Sequence, residues 1–190
     1  MGAFKPLLPF GNYTVIEACI DYLRRGGVET IIVVVGHREG DVRNKLAELP
    51  VTFAINTPDS EMGVSIIRGV EKIPPDADAV FITLVDQPAI PPEAIRFMID
   101  ERERTGASLL VPVNEGRRGH PVLIDLKYRA DLLELDPMRG LRAFFETRGP
   151  AILVVPIASP YIARDMDTWD DYRALHLEIF HSEPPSAPHS

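Results

Sequence analysis

Four polar side chains in this sequence stand where they could bind phosphate or a metal ion. In the stretch Ala79 to Pro88, AVFITLVDQP, an apolar run ends at Asp86. Asp165 and Asp167 stand just ahead of a predicted helix. Lys5 is the only basic residue in the first twelve, MGAFKPLLPFGN. A few carboxylate oxygens suit Mg²⁺, and a lysine neutralises phosphate charge. Phosphoryl and nucleotidyl transfer need such groups, since this chemistry depends mainly on positioning and charge stabilisation.

The position of Asp86 after an apolar run allows two interpretations. Residues 80–85 have the composition of a strand that is covered on both faces, as in a parallel sheet. Ligands of open α/β sheets bind beyond the carboxyl ends of the strands, which favours a binding role for Asp86. Asp also commonly hydrogen-bonds its own backbone at turns, so a purely structural role is equally compatible with the pattern.

A second polar pair lies earlier in the chain. Asn56 ends a short predicted strand, and Ser65 falls in the first turn of the next helix. The hydroxyl and the free backbone N–H groups of that turn could meet an anion. Composition alone favours a simpler capping role for Ser65.

The loop Asn114 to His120, NEGRRGH, is dense in glycine and arginine. Arg117, Arg118 and His120 could bracket an anionic ligand, although composition favours a hairpin loop with solvated arginines. His120 could also be the general base of a hydrolase, because imidazole titrates near neutral pH. A lone His beside Pro is usually structural, and no Ser or Cys partner has a supporting motif, which disfavours the hydrolase.

Strands and helices alternate along the chain, which predicts an α/β fold with a doubly wound, mostly parallel sheet. Thr14 with Glu17, and Thr168 with Asp171, have capping-box spacing and predict two helix starts. The predicted strands are 30–35, 51–55, 80–85, 107–113, 121–124 and 151–156. The predicted helices are 15–25, 40–48, 64–73, 92–104, 127–134, 137–147 and 169–180.

Length and composition indicate one domain, 1–181, followed by a disordered tail, 182–190, that lacks core-forming residues. The formal net charge of -8, without clustered Lys and Arg, argues against a nucleic-acid partner. The single cysteine, Cys19, excludes an internal disulfide and a thiolate metal site. No apolar run reaches the roughly 20 residues of a membrane span. We therefore expect a soluble, cytoplasmic protein.

Five motifs occur together in an order typical of one family: MGAFKPLLPFG, the 56–69 segment with Gly63 and Ser65, LVDQP, RRGHPVLI and DMDTWDDY. In these, the chain resembles the molybdenum cofactor cytidylyltransferases, which belong to the wider MobA-like nucleotidyltransferase group. The resemblance runs from Met1 to about Tyr172. The combination of DQP with GHP is fairly specific to the cytidylyl branch.

The resemblance implies a Rossmann-like nucleotidyltransferase that moves CMP from CTP to molybdopterin and releases pyrophosphate, with Mg²⁺ as cofactor. It implies catalytic roles for Lys5 and Asp86, and a metal site made by Asp86 and Asp167, with Asp165 as the alternative second ligand. A molybdoenzyme or its chaperone is the implied protein partner. The implied nucleotide contacts are Lys5, Asn56, Ser65 and Asp86, and the implied pterin or nucleotide contacts are Gly119 and His120.

The chain departs from the family at its amino end. Family members begin with a strand and a Leu-Ala-Ala-Gly-x-Ser-x-Arg loop that leads into Met-Gly-x-x-Lys, and this sequence begins at that Met. The missing strand would lie centrally, between 30–35 and 80–85, where each unsatisfied backbone group costs about 1 to 3 kcal/mol. We expect either an upstream start, with an active full-length enzyme, or a catalytically impaired remnant that binds a cofactor or partner. Guanylyl and sugar-phosphate nucleotidyl transfer stay open as other reactions.

Overall fold

A computed structural model describes residues 4–58 and 60–185. Within these ranges the strands are β1 (Pro9–Phe10), β2 (Tyr13–Thr14), β3 (Ile32–Val35), β4 (Thr52–Ile55), β5 (Ala79–Ile82), β6 (Leu109–Asn114), β7 (Arg117–Arg118), β8 (Val122–Asp125) and β9 (Ile152–Pro156). The helices are α1 (Val15–Arg25), α2 (Glu39–Lys45), α3 (Met62–Val70), α4 (Pro92–Thr105), α5 (Arg129–Leu133), α6 (Gly140–Glu146) and α7 (Trp169–Phe180).

The strands form three hydrogen-bonded sheets. β1 and β2 make a short antiparallel hairpin, and β3 pairs with β4 in parallel. In the third sheet β8 lies antiparallel between β5 and β6, and β6 also pairs with β7 and, in parallel, with β9. β5, β6 and β9 therefore run in one direction and β8 runs against them. The predicted α/β class is confirmed, with a sheet that is mixed because β8 is reversed.

No strand pairing joins β3 to β5 in the described residues. The carbonyls of Ile31 and Val35 accept from the N–H groups of Thr52 and Asn56 on the β4 side. Strand backbone groups alternate in direction, so those of Ile32 and Val34 point away from β4. The two separate sheets thus leave an unpaired edge on β3, and β5 likewise has an edge not covered by β8. The resemblance predicted a missing strand at this place.

Side-chain packing spans the gap between the two sheets. On one face Val33 and Val35 of β3 share an apolar cluster with Phe81 of β5. On the other face Ile32 of β3 shares a second cluster with Ile82 of β5. Apolar contacts, without a hydrogen-bond ladder, therefore hold β3 beside β5.

Both predicted capping boxes are present, at the starts of α1 and α7. β5 is shorter than predicted, because it ends at Ile82 and not at Val85. Beyond Ile82 the chain turns toward α1, where the Tyr22 and Thr83 hydroxyls lie 2.5 Å apart and the Cys19 thiol donates to the Val85 carbonyl. These contacts place Asp86 in a turn past the strand end.

A third apolar cluster fixes the amino-terminal segment on α7. It includes Leu8, Phe10, Met166, Tyr172 and Leu175, all nearly fully buried. The Tyr172 hydroxyl donates to the Pro9 carbonyl at 2.6 Å. The amino-terminal segment contains a short 3₁₀ turn and the β1–β2 hairpin, and α7 holds both in place.

The chain continues past α7 with contacts back to that helix. The His176 imidazole donates from Nδ1 to the Ser182 carbonyl at 2.8 Å, and Arg173 pairs with Glu183. The rest of the predicted tail, 186–190, lies outside the described residues, so the boundary at 181 stays a prediction. None of the described helices has the length and apolar character needed to cross a membrane.

Candidate functional site

The turn after β5 and the segment before α7 meet through a backbone hydrogen bond. Met166 donates its N–H to the carbonyl of Asp86 at 3.0 Å. The Met166 side chain is fully buried in the third apolar cluster. Its neighbours Asp165 and Asp167 are exposed, so this fixed residue holds a carboxylate on each side of it next to Asp86.

Asp86 is a half-buried carboxylate without a protein donor for one of its oxygens. Its Oδ1 is fully buried and accepts no hydrogen bond from the described residues. Burial raises the pKa of the Asp86 carboxyl, the neighbouring Asp165 carboxylate raises it further, and Lys5 opposes the shift. A buried carboxylate oxygen in this state is stabilised by a bound cation.

Lys5 and Gln87 each engage one of the other two carboxylates. The Lys5 ammonium pairs with Asp167 at 2.9 Å, although the Asp167 side chain is 68% exposed. The Gln87 amide, itself buried, donates from Nε2 to Asp165 Oδ1 at 2.7 Å. Lys5, Asp86, Asp165 and Asp167 thus lie near one another, and the roles given to them stay predictions.

The small number of carboxylate oxygens at this site suits Mg²⁺. Among residues 4–58 and 60–185 no group of three or more His, Cys, Asp or Glu side chains is arranged as a complete metal cage. Mg²⁺ commonly takes one or two carboxylates and completes its shell with water and substrate phosphate. Asp86, with its orphaned Oδ1, and Asp167 are the residues that would hold the ion.

A second polar cluster lies at the carboxyl ends of β3 and β4. Asn56 is 8% exposed, donates from Nδ2 to Ser65 Oγ at 2.8 Å and accepts from the Thr57 N–H at 2.9 Å. Since Ser65 Oγ accepts this bond, its own O–H is left to donate to a ligand. A cavity of about 200 Å³ opens here, lined by Val34, Val35, Gly36, His37, Asn56, Thr57, Pro58, Ser60 and Ser65.

The amino-terminal segment connects the two clusters. The Phe4 ring packs edge to face on the ring of His37, which lines the cavity, with 5.9 Å between centroids. The next residue, Lys5, pairs with Asp167. Within the described residues no hydrogen bond or ion pair links Asn56 or Ser65 to Asp86, so adjacent residues of one segment bring the cavity and the carboxylates together.

Gly119 and His120 lie near Asp165, and their backbone N–H groups are hydrogen-bonded within the protein. The Gly119 N–H donates to the Pro112 carbonyl, and the His120 N–H donates to the Ile162 carbonyl at 2.8 Å. A β-carbon at Gly119 would overlap the Ile162 carbonyl, so close packing by itself requires glycine. Burial lowers the pKa of the His120 imidazole below its ordinary 6.5 and Asp165 opposes the shift, which leaves the ring neutral at pH 7.

Three residues near the clusters had no role in the sequence interpretation: His37, Thr57 and Gln87. His37 and Thr57 each come two positions after the end of a parallel strand, where ligands of such sheets bind, so their position in the chain could have identified them. Gln87 stands inside the DQP motif, but its contact with Asp165, 78 positions away, follows from tertiary packing and has no local signal.

Comparison with known proteins supports a nucleotidyltransferase fold. Rv0371c from Mycobacterium tuberculosis H37Rv has a similar structure (TM-score 0.81, 24% identity, 93% of this chain and 90% of that chain covered). A manganese complex of that protein also matches (TM-score 0.74, 24% identity, 92% of each chain covered). A nucleotidyl transferase from Methanothermobacter thermautotroptrophicus is likewise similar (TM-score 0.79, 25% identity, 94% and 86% covered).

Sequence comparison identifies a relative and a family. Nicotine blue oxidoreductase from Paenarthrobacter nicotinovorans is 25% identical over 179 residues, which cover 90% of this chain and 87% of that protein. Residues 1–152 match the MobA-like NTP transferase domain. The match includes Lys5, Asn56, Ser65 and Asp86, whereas Asp165 and Asp167 lie beyond it. The chain therefore belongs to the family of MobA-like NTP transferase domains and is a nucleotidyltransferase.

Proposed function

We propose that this nucleotidyltransferase transfers CMP from CTP to molybdopterin, with Mg²⁺ as cofactor and pyrophosphate as the second product. The observation that carries the proposal is the buried, unpartnered Oδ1 of Asp86 beside the Lys5–Asp167 ion pair. The occurrence of DQP with GHP in the sequence supports the cytidylyl branch over the guanylyl branch.

The reaction joins an oxygen of the molybdopterin phosphate to the α-phosphorus of CTP. The bond between that phosphorus and the oxygen bridging to the β-phosphorus breaks, and pyrophosphate leaves with the electron pair. Asp86 and Asp167 would hold Mg²⁺, which when bound supplies positive charge for the phosphate oxygens. Lys5, which pairs with Asp167 in this structure, would stabilise the negative charge that develops on pyrophosphate.

The nucleotide would occupy the cavity beside Asn56 and Ser65. The Ser65 hydroxyl donates to the ligand while Asn56 holds the Ser65 oxygen in place. Gly119 and His120 would form the wall behind the acceptor, with His120 contributing a neutral ring. We place the reaction in the cytoplasm, where its substrates would occur. A molybdoenzyme or its chaperone would receive the product.

A second candidate is a catalytically impaired protein that binds the cofactor or a partner. The unpaired edges of β3 and β5 favour it, because an open sheet reduces the rigidity on which positional catalysis depends. Guanylyl or sugar-phosphate nucleotidyl transfer would use the same Asp86 and Lys5 chemistry with a different base or acceptor.

Thermal unfolding with ligands tests these alternatives. Two proteins are melted with Mg²⁺ and CTP, GTP or ATP in turn. One is the chain from Met1 to Ser190, and the other carries an additional amino-terminal strand and glycine-rich loop. Ligand at about a hundred times its Kd adds ~2.7 kcal/mol, which raises the melting midpoint by roughly 5 to 10 °C in a domain of this size. A selective shift with CTP supports the cytidylyltransferase. A cooperative melt without any nucleotide response, in both chains, overturns it and favours the binding protein.

A further inference from the structure

A second cavity, of about 350 Å³, has Asp165 in its lining. We call it the hairpin cavity because the β6–β7 hairpin forms one wall and the segment 160–165 forms the other. Its lining residues are Asn114, Glu115, Arg117, Pro160, Ala163, Arg164 and Asp165. Asp165 belongs both to this cavity and to the carboxylate cluster, so a molecule in the cavity lies next to the proposed site of transfer.

The turn of the hairpin fixes the position of Arg117. Glu115 and Gly116 form a two-residue turn between the paired residues Asn114 and Arg117, with φ angles of 48° and 79°. Two successive positive φ values characterise the tight hairpin turn whose twist matches that of its strands. Glycine adopts this conformation without steric cost, which explains Gly116, since open space surrounds it.

The hairpin directs its two arginines to different places. Successive strand residues point to opposite faces, and Arg117 lines the cavity whereas Arg118, opposite Val113, does not. Arg164, the other cation of the lining, is already paired with Glu178. Among residues 4–58 and 60–185 no carboxylate pairs with Arg117. Its guanidinium is therefore available to an anion.

The rest of the lining fits a ligand with hydrogen-bond donors. Glu115 and Asp165 contribute carboxylate oxygens, which accept hydrogen bonds and repel a ligand that is anionic throughout. The lining thus combines one free guanidinium with two acceptors. A guanidinium fork matches the geometry of phosphate and binds it through two parallel hydrogen bonds.

We propose that the hairpin cavity is the acceptor subsite and that Arg117 binds a phosphate group of the acceptor there. The acceptor class is a small phosphate monoester whose other end carries hydroxyl or amino donors for Glu115 and Asp165. This assignment rests on the proposed nucleotidyl transfer, since it gives the second substrate a place beside Asp86. Arg118 supplies a matched control, because it has the same side chain one position away on the other face.

The direct test observes the arginine side chains of the full chain by NMR. Phenyl phosphate and inorganic phosphate are titrated against sodium chloride of equal ionic strength, and the Nε–H signals of Arg117 and Arg118 are followed. A saturable shift at Arg117, with Arg118 moving no more than in chloride, supports the subsite. Equal shifts at the two arginines, or shifts that never saturate, overturn it.

A kinetic test separates this inference from the proposed function. With molybdopterin as acceptor, Arg117→Gln should raise the KM for the acceptor about ten- to a hundredfold and leave the KM for CTP unchanged, with Arg117→Lys in between. Arg118→Gln should behave as the wild type. Transfer with an unaltered acceptor KM in Arg117→Gln overturns the subsite while the function stands. Saturable phosphate binding at Arg117 without any CMP transfer overturns the function while the subsite stands.

Discussion

Met166 donates its backbone N–H to the carbonyl of Asp86 at 3.0 Å, and this bond joins two segments that lie 80 positions apart in the sequence. The buried Met166 side chain anchors one end of the bond in the cluster that also holds the amino-terminal segment. This hydrogen bond brings Asp86 next to the segment of Asp167, and the ion pair between Lys5 and Asp167 adds Lys5 to the same site. The predictions below start from that site.

Asp86→Asn should lower the activity without lowering the stability of the fold. At neutral pH a buried carboxylate with a raised pKa destabilises the fold, so the neutral amide should leave the melting midpoint unchanged or higher. Nucleotidyl transfer should fall by about 10²- to 10³-fold, because the substitution removes a negatively charged ligand of the Mg²⁺ that would stabilise the phosphates. Melting curves with and without Mg²⁺, together with product release, measure both effects. Undiminished transfer in this variant would contradict the role of Asp86.

Asp165→Asn and Asp167→Asn should differ in their effects. Asp165 accepts a hydrogen bond from the buried Gln87 amide, whereas Asp167 pairs with Lys5, a cation that a bound metal ion can replace. We therefore expect Asp167→Asn to weaken Mg²⁺ binding by about tenfold or more and Asp165→Asn to weaken it less. Titration of each variant with Mn²⁺, followed by water-proton relaxation, gives the two affinities. The reverse order would identify Asp165 as the second ligand.

Stability should fall in acid through the capping box of α1. Burial alone would raise the pKa of Glu17, but hydrogen bonds from the Thr14 backbone and hydroxyl and the contact with Lys45 outweigh it and lower the pKa below 4.5. A lowered folded-state pKa gives stability that is present above pH 4.5 and lost as the pH falls through the folded value. Urea unfolding at pH 7 and pH 3 should show Glu17→Gln about 1 kcal/mol less stable only at pH 7.

The exposed residue Glu48 offers a control for that measurement. Glu48→Gln removes a carboxylate of the same type that forms no ion pair with the described residues, so its stability difference from the wild type should be small at both pH values. If Glu17→Gln and Glu48→Gln differ equally from the wild type in free energy of unfolding at pH 7, the predicted contribution of the capping box is wrong.

Amide hydrogen exchange should reveal the unpaired edges of the two sheets. Val33 faces β4 and Val80 faces β8, whereas Val34 and Phe81 face the gap by strand alternation. The N–H groups of Val34 and Phe81 should exchange about three- to tenfold faster than those of Val33 and Val80, since they lack one bond of 0.5–1.5 kcal/mol. Equal protection of neighbouring residues would mean that the edges are paired.

Local sequence signals predicted the helix starts and the identity of the site residues. Thr14 with Glu17 and Thr168 with Asp171 form the expected capping boxes, because the motif depends on residues three positions apart. Asp86, Lys5 and the pair Asp165 and Asp167 were candidates from their residue types and positions, and the resemblance preferred Asp167 to Asp165 and assigned the roles, which stay predictions. The contacts among these residues are consistent with the roles that it implied.

Features that depend on distant parts of the chain were not predictable in this way. β5 ends at Ile82 because Tyr22 and Cys19 on α1 hold Thr83 and Val85, although Leu84 and Val85 continue the apolar run. The reversal of β8 depends on which strands it meets, since its own sequence is compatible with either direction. That Arg117 and not Arg118 lines the hairpin cavity could likewise be recognised only from the register of the hairpin.

The absence of a hydrogen-bond ladder between β3 and β5 affects how the reactants approach each other. Asn56 and Ser65 lie on the half with β3 and β4, whereas Asp86 and Arg117 lie on the half with β5 and β6. Ladder hydrogen bonds are directional and fix the register of two strands, whereas apolar contacts are non-directional and tolerate sliding. In the proposed reaction, we therefore expect small rigid-body shifts of the two halves to change the spacing between nucleotide and acceptor.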